Sequence, residues 1–470
     1  MLDALVVGSG PNGLAAALTL ARAGRSVRVL EARSEPGGGA RSAELTLPGF
    51  VHDVCSTIHP MAKASPFFRQ LNLERSGVVW DESEAPLAHV VQSGQVVSLE
   101  RSVAATARQF GPDGPPYEDL MQPLVDGFDD LMDMFLGPMR LPKRWALFSR
   151  FSLLALRSMN GLGARFRDTG ARALLAGMAA HSMLPLGKAA TASFALMLGA
   201  AGHAVGWPVV RGGSGQLTRA LVRELEALGG QISLGHEVRA AAELPPARVY
   251  LFDVTPRQLL AIAPEWLSPR YRRRLERYRY GPGVFKLDWA LSEPVPWRDP
   301  QCRRATTVHL PGTLERIDAA ESDVHLGRVA SDPFIIFAQP TLADPSRSPA
   351  GAHIAWAYIH VPPGSSEDLT RLVEGSIERF APGFRDVIVG RHVRTPAAFE
   401  IYNPNYVGGD INGGSAELSQ LLFRPVVRLD PYATSNPRLF LCSSSTPPGG
   451  GVHGLCGHFA ARSALAALER

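Results

Sequence analysis

An α/β architecture of more than one layer is what this 470-residue chain predicts, and three observations carry the prediction. The chain opens on an apolar run, a glycine-rich turn, a helical stretch and a second apolar run. Apolar runs followed by small-residue turns return at 231–255 and again at 439–454, so one parallel layer is assembled from three separate stretches. Between them, the alternating segment 284–291 and the apolar runs 334–337 and 354–361 announce a second sheet, which follows a long, mostly helical region.

The first element is the most specific. Leu5, Val6 and Val7 lead into Gly8-Ser9-Gly10-Pro11-Asn12-Gly13, good helix formers fill 14–23, and Val27, Val29 and Leu30 end on Glu31. In such a unit Gly8 permits the tight turn. Gly10 lets backbone approach a pyrophosphate, and Gly13 lets helix and strand pack closely. The helix N-terminus turns unpaired N–H groups and a positive dipole end toward the phosphates. Glu31 stands where a carboxylate accepts from both ribose hydroxyls, which disfavours a 2′-phosphorylated ribose. Strand, turn, helix, strand and acid agree, so this is a Rossmann-like dinucleotide-binding unit and not a bare glycine turn.

A second glycine cluster follows at once, Arg33-Ser34-Glu35-Pro36-Gly37-Gly38-Gly39-Ala40-Arg41-Ser42. A nicotinamide dinucleotide does not need it, whereas a longer flavin dinucleotide must be gripped further along. The arrangement resembles the FAD-dependent amine oxidase and phytoene desaturase superfamily, with Gly39 standing where that superfamily usually has arginine and Arg41 nearby to compensate.

Composition bounds the rest. Apolar residues make up 45% and charged residues 20% of the chain, ordinary for a globular protein, and the length suggests about three domain-sized units. The four cysteines, Cys55, Cys302, Cys442 and Cys456, are scattered without a CxxC pair, so neither a metal knot nor a disulfide framework is expected. His309, His353 and His360 fit no metal spacing and are read as structural. The first strand begins at the N-terminus, leaving no room for a targeting peptide, and no run is long and apolar enough to span a bilayer. The expected location is cytoplasmic.

The net charge of +4 is unevenly spread. Arg140, Lys143, Arg144, Arg150, Arg157, Arg165 and Arg167 fall in one stretch without an acid, interleaved with Trp145, Leu147, Phe148, Phe151, Leu153, Leu154 and Leu156. Such a basic amphipathic segment fits peripheral contact with an anionic membrane face through 140–167; it equally fits a core helix with a solvated polar side. No nucleic-acid motif accompanies the charge, so a nucleic-acid partner is not expected.

Taken in order, the expected organisation is 1–80 as the first part of the dinucleotide domain and 81–204 as a mainly helical substrate cap. Residues 205–275 and 435–470 return to the dinucleotide domain, and 276–434 form the substrate sheet. Residues 80–99 are β-like with a turn at Ser93-Gly94, the stretch 192–210 is a buried helix and loop, and 216–228 is an amphipathic helix. Thr255, Pro256 and Gln258 compose a capping box for the next helix. The alternation of Phe285, Leu287, Trp289 and Leu291 with Val284, Lys286, Asp288 and Ala290 predicts a strand with one buried face. That antiparallel or mixed sheet and the helical cap would leave a cavity between them. Two titratable groups are candidates for chemistry: His59, directly after the cofactor loop, and Asp410, in the polar loop 402–414. Each has an ordinary alternative, a histidine satisfying backbone and an aspartate in a turn.

The last signal is the strand 439–442, the loop Ser443-Ser444-Ser445-Thr446-Pro447-Pro448-Gly449-Gly450-Gly451-Val452 and a terminal helix. These can set N–H groups against a ribityl chain and flavin ring. GSGPNG with its acid, the glycine loop, WPVVRGGSG, GPGVFKLDWAL and TPPGGGVHG together resemble the phytoene desaturase superfamily over almost the whole chain. Within it they are most similar to the branch related to pyridine nucleotide-disulfide oxidoreductase domain-containing protein 2. Ser443 replaces a usual glycine, and Thr446-Pro447-Pro448 a usual THP. The resemblance implies FAD held non-covalently by Gly8, Gly10, Asn12, Gly13, Glu31, Ala32, Arg33, Gly38, Gly39, Arg41, Val238, Ser443, Ser444, Gly450, Gly451 and Val452, with Val238 contacting the adenine through its backbone. It also implies an apolar substrate tunnel and desaturation of a long apolar or polyene compound. The electron acceptor stays open among oxygen, a quinone and a nicotinamide. Two alternatives share the scaffold: a flavin-dependent polyene isomerase, and a non-enzymatic lipid-binding regulator akin to Rab GDP-dissociation inhibitors.

Overall fold

A computed structural model describes residues 1–92, 94–137 and 142–469; Ser93 of the expected turn and Arg140 of the basic segment lie outside them. The predicted α/β fold is observed. Five parallel strands form the first sheet, in the order Leu439–Leu441, Ala247–Phe252, Leu2–Val7, Val27–Leu30 and Gln231–Ser233. Strands from the beginning, middle and end of the chain are therefore hydrogen-bonded neighbours, as a discontinuous Rossmann-like layer requires. Helix Pro11–Arg22 packs between Gly215–Ala227 and the terminal helix Leu455–Leu468. Its alanine face, Ala15 to Ala17, is wholly buried. The terminal helix approaches so closely that a Cβ on Gly457 would meet the Asn12 carbonyl oxygen at 1.7 Å.

The second sheet has seven strands, ordered Ile388–Arg394, Gly283–Leu291, His353–Val361, Ile335–Ala338, Ala305–Leu310, Ala85–Gln92 and Gln95–Leu99. It is mixed: Ala305–Leu310 runs parallel to Ala85–Gln92 and the other pairs are antiparallel. The hairpin 85–99, placed by sequence in the helical cap, is thus the outer edge of the substrate sheet. An isolated hairpin buries too little to stand alone, and Ala305–Leu310 offers it an unpaired edge. The cap proper starts at Val103 and carries helices 114–126, 145–155, 169–179 and 191–204. The chain enters and leaves it side by side, Trp80–Asp81 pairing with Val209–Val210.

Two local expectations are corrected. Strand Gly283–Leu291 is buried on both faces, not one, because it lies between two partners and is covered above and below. Its polar face carries Lys286 and Asp288, ion-paired to each other with no access to solvent. The capping box at Thr255 does not form. Thr255 is the N-cap and Pro256 follows, but the Thr255 side chain makes no cap bond and Gln258 donates to the Pro404 carbonyl. The Thr255 N–H is bonded by Asn405 Oδ1, so the neighbouring loop supplies the contact that the local sequence was expected to provide.

A buried ionic knot ties the layers together. Arg347 pairs with Asp53 and Asp344 and donates to the Val210 carbonyl at 2.7 Å, while Asp53 accepts from Ser42 Oγ at 2.6 Å and from the Ser214 N–H at 2.7 Å. Asp53 follows the cofactor loop and Ser214 precedes the helix Gly215–Ala227. One guanidinium therefore joins both cofactor segments to the substrate sheet.

Candidate dinucleotide and substrate site

The carboxyl ends of the parallel strands open into a cavity of about 430 Å³, the usual ligand position in such sheets. Its first half is backbone-rich. Gly8, Ser9, Gly10, Pro11 and Asn12 line it, with Glu31, Ala32, Arg33, Gly38, Gly39, Arg41 and Val238. Gly8 has φ +98°, and a Cβ on Gly10 would stand 2.7 Å from Asp253 Oδ2. Gly13 does not line the cavity. Its task is packing, since a Cβ there would lie 2.1 Å from the Gly8 carbonyl oxygen.

Glu31 is buried and accepts four bonds: the Ser9 N–H at 2.9 Å, Ser9 Oγ at 2.5 Å, the Arg33 N–H at 2.9 Å and Arg41 Nη2 at 2.9 Å. Arg41 also donates to the Glu35 carbonyl and to Tyr402 Oη. It holds the acid in place. The glycine at position 39 has a local cause: a Cβ there would meet the Tyr406 hydroxyl at 2.5 Å.

The second half is built of side chains. Cys55 to Ala62, His181, Leu198, Trp207, Thr307, Ile336, Trp356, Tyr358 and Tyr406 line it, closed by Ser443, Ser444, Gly451 and Val452 of the terminal loop. Ser443 donates to the Val254 carbonyl at 2.7 Å and Ser445 to the Gly413 carbonyl at 2.7 Å, which ties this loop to the segment after strand Ala247–Phe252 and to the loop 402–414. Gly450 lies behind the lining, against the Asn412 carbonyl. Trp356 and Tyr358, two residues apart on one strand, face the same way with rings 5.8 Å apart and nearly parallel.

The two titratable candidates part company. His59 lines the cavity, caps the helix Pro60–Ala64 and shares a 2.8 Å bond between Nε2 and Ser214 Oγ. Burial brings it down to about 4, so its ring is neutral at physiological pH. Asp410 does not reach the cavity. Its carboxyl accepts the N–H groups of Gly281, Asn412 and Gly414, each at 2.8 Å, and burial raises its pKa. It orders the loop 402–414 and is too enclosed to exchange a proton with a substrate. His181 and His309 were not singled out from sequence. They share a 3.3 Å contact between Nε2 atoms, His181 brought down to about 3 and His309 held well below its ordinary value, both by burial. Among the described residues no group of His, Cys, Asp and Glu could hold a metal.

Sequence reasoning also passed over Asp253, Trp356, Tyr358 and Tyr406. Only Asp253 carried a signal, standing at the carboxyl end of a strand that pairs with the first. The others come from segments whose meeting no local pattern records.

This site and fold define a Rossmann-type dinucleotide-binding protein. The NAD(P)-binding Rossmann-like domain family matches residues 6–71. The chain is similar to pyridine nucleotide-disulfide oxidoreductase domain-containing protein 2 of Rattus norvegicus, with 26% identity over 98% of this chain and 92% of that protein. It is similar to the lycopene-forming phytoene desaturase of Pantoea ananas, with 25% identity over 99% of each. In fold it resembles an oxidoreductase of Methanosarcina mazei, TM-score 0.66 at 15% identity, over the whole of both chains.

The residues present suit FAD. The glycine turn leaves room that a Cβ would fill, Glu31 is oriented, and the Asn12 side-chain oxygen is buried at the turn without a partner. The cavity continues from there to the terminal loop without interruption.

Proposed function

We propose that this chain desaturates a long apolar or polyene compound, with FAD as the hydride acceptor. The observation that supports this reading is the neutrality of the second half of the cavity. Leu198, Trp207, Thr307, Ile336, Trp356 and Tyr358 are uncharged, and burial keeps His59 and His181 unprotonated. A cationic amine would meet no carboxylate on this wall, whereas a hydrocarbon chain loses only water there. Bound FAD supplies the hydride acceptance and the redox chemistry.

The protein's own part is positional. The Trp356 and Tyr358 rings offer a flat apolar face, while the second sheet and the cap exclude water. His59, neutral and held by Ser214 through Nε2, is the one of the two candidates that lines the cavity, and its Nδ1 has no hydrogen-bond partner among the described residues and could accept a proton. Isomerisation of a polyene without net oxidation would use the same walls.

The test is direct. Freshly purified protein should show flavin absorbance, with FAD released by heat, and anaerobic addition of a polyene should bleach it. Flavin that isomerises the polyene without bleaching would favour the isomerase. A colourless protein that also refuses added FAD would overturn the enzyme reading in favour of lipid carriage.

A second reading concerns location. We propose that helix Trp145–Ala155 touches an anionic membrane face. Leu147, Phe151 and Ala155 anchor it to the cap, while Trp145, Leu153 and Leu156 stand 60%, 73% and 48% exposed. Arg144 pairs with Asp130, and Arg150 donates to the Asp119 carbonyl. The basic face is therefore partly neutralised and the apolar residues carry more of the contact. No described helix is long and apolar enough to cross a membrane. Co-flotation with vesicles containing phosphatidylglycerol, abolished by Leu153→Asp, checks it; loss of wild-type flotation overturns it.

A further inference from the structure

Asp253 is the acid that the cofactor machinery does not account for. It follows the strand Ala247–Phe252 and lines the cavity beside the glycine turn. Its Oδ2 accepts the Gly13 N–H at 2.8 Å and lies 2.7 Å from where a Gly10 Cβ would be. These are the backbone groups that a dinucleotide's pyrophosphate uses in a turn of this kind. A carboxylate anion there competes for them and repels the diphosphate; a neutral carboxyl does neither, and can donate to a phosphate oxygen.

The surroundings do not offset its charge. Glu31, the acid across the turn, is engaged by Arg41, and the thiols of Cys442 and Cys456 lie behind it. Arg33 and His236 line the same end of the cavity, and no cation pairs with Asp253 among the described residues.

We infer that Asp253 is a proton-dependent gate on dinucleotide binding: FAD is held tightly when this carboxyl is protonated and is repelled when it is ionised. This rests on the flavin reading above. Burial, opposed by the Gly13 N–H, brings the group up to about 7, so the gate falls within the physiological range. The sign follows from linkage. Added diphosphate charge raises the pKa further on binding, so binding takes up a proton and the affinity falls as pH rises through the free protein's value.

The experiment is a titration of flavin-stripped protein with FAD from pH 6 to 8.5, followed by flavin fluorescence. Calorimetry in two buffers of different ionisation enthalpy measures proton uptake on the wild type alone. The expected result is an FAD affinity independent of this group below about pH 7 and weakening about tenfold per pH unit above it, with proton uptake on binding. Asp253→Asn keeps an acceptor for Gly13 and leaves His236 in place; its affinity should vary far less with pH and exceed the wild type's at pH 8.5. Tight wild-type binding with no slope and no proton uptake overturns the gate and leaves the flavin reading intact. A slope that persists unchanged in Asp253→Asn also overturns it. Failure of both proteins to bind FAD at every pH overturns the flavin reading itself, and the gate with it.

Discussion

The two halves of the cavity solve the same problem, a polar demand inside a buried site, in opposite ways. At the dinucleotide end the working groups are backbone N–H donors and glycine gaps from one continuous stretch, Gly8 to Arg41. Its acid, Glu31, is met by four donors from that stretch. At the substrate end the walls are single side chains from distant strands and cap helices. Charge is kept off that surface by pairing it out of sight, as in Lys286 with Asp288 and Arg347 with Asp53. The difference teaches that anion binding can be written locally, because helix N-termini carry it with them. A neutral apolar chamber is a property of the assembled sheet and cap.

The comparison can be broken most forcefully at Arg347, the side chain that joins both halves. Arg347→Met leaves Asp53 and Asp344 buried and unpaired, and removal of one partner of such a pair typically costs about 3–5 kcal/mol. Urea unfolding should show a loss of that size together with loss of bound flavin. A variant within about 1 kcal/mol of wild type would show that the halves are not coupled through this knot.

A second prediction concerns acid, to which the substrate end should yield. His59 and His89 are brought to about 4 and His181 to about 3 by burial. Their folded values lie below the unfolded one, so the stability they contribute is complete above about pH 6.5. It is lost as pH falls through that value toward 4 or below, at up to about 1.4 kcal/mol per pH unit for each ring. A denaturation midpoint that holds steady from pH 7 to 4.5 would contradict this.

Smaller effects separate the halves. Gly13→Ala must displace the turn, because its Cβ would lie 2.1 Å from the Gly8 carbonyl. Flavin content should fall at least tenfold, with the substrate sheet's near-ultraviolet signal preserved. Trp356→Ala should leave flavin content unchanged and raise KM for an apolar substrate by about tenfold, the loss of roughly 1–2 kcal/mol of apolar contact. The smallest effect belongs to His59→Gln, which keeps a partner for Ser214. Flavin content and stability should stay within about 0.5–1 kcal/mol of wild type, and turnover should fall if the ring accepts a proton.

Most of the Rossmann-like layer was legible because each of its strands carries its own turn. The signals at Gly8 to Gly13, Glu31, 247–252 and 439–454 are local in the chain and remain local in space. What misled was context. The alternation in Gly283–Leu291 was real, yet its polar face was buried, since period two reports which residues share a face and not what covers that face. At Asp410 the turn alternative prevailed: Asn412 and Gly414 of its own loop donate to its carboxyl, and the fold adds the Gly281 N–H, which encloses it. Thr255 and Gln258 matched a capping pattern, and a loop residue 150 positions away took the contact instead.

By itself, then, the sequence determined the parallel layer, its glycine turns, the acid at Glu31 and the discontinuity of the domain. These depend on backbone freedom and periodicity, which act over a few residues. The tertiary structure alone decided that the 85–99 hairpin completes the substrate sheet, that Arg347 ties the layers, and that Trp356, Tyr358, His181 and His59 line one cavity. It also set a second acid, Asp253, against the same N–H groups as the glycine turn. Such meetings depend on burial and long-range pairing, and no short stretch of chain encodes them.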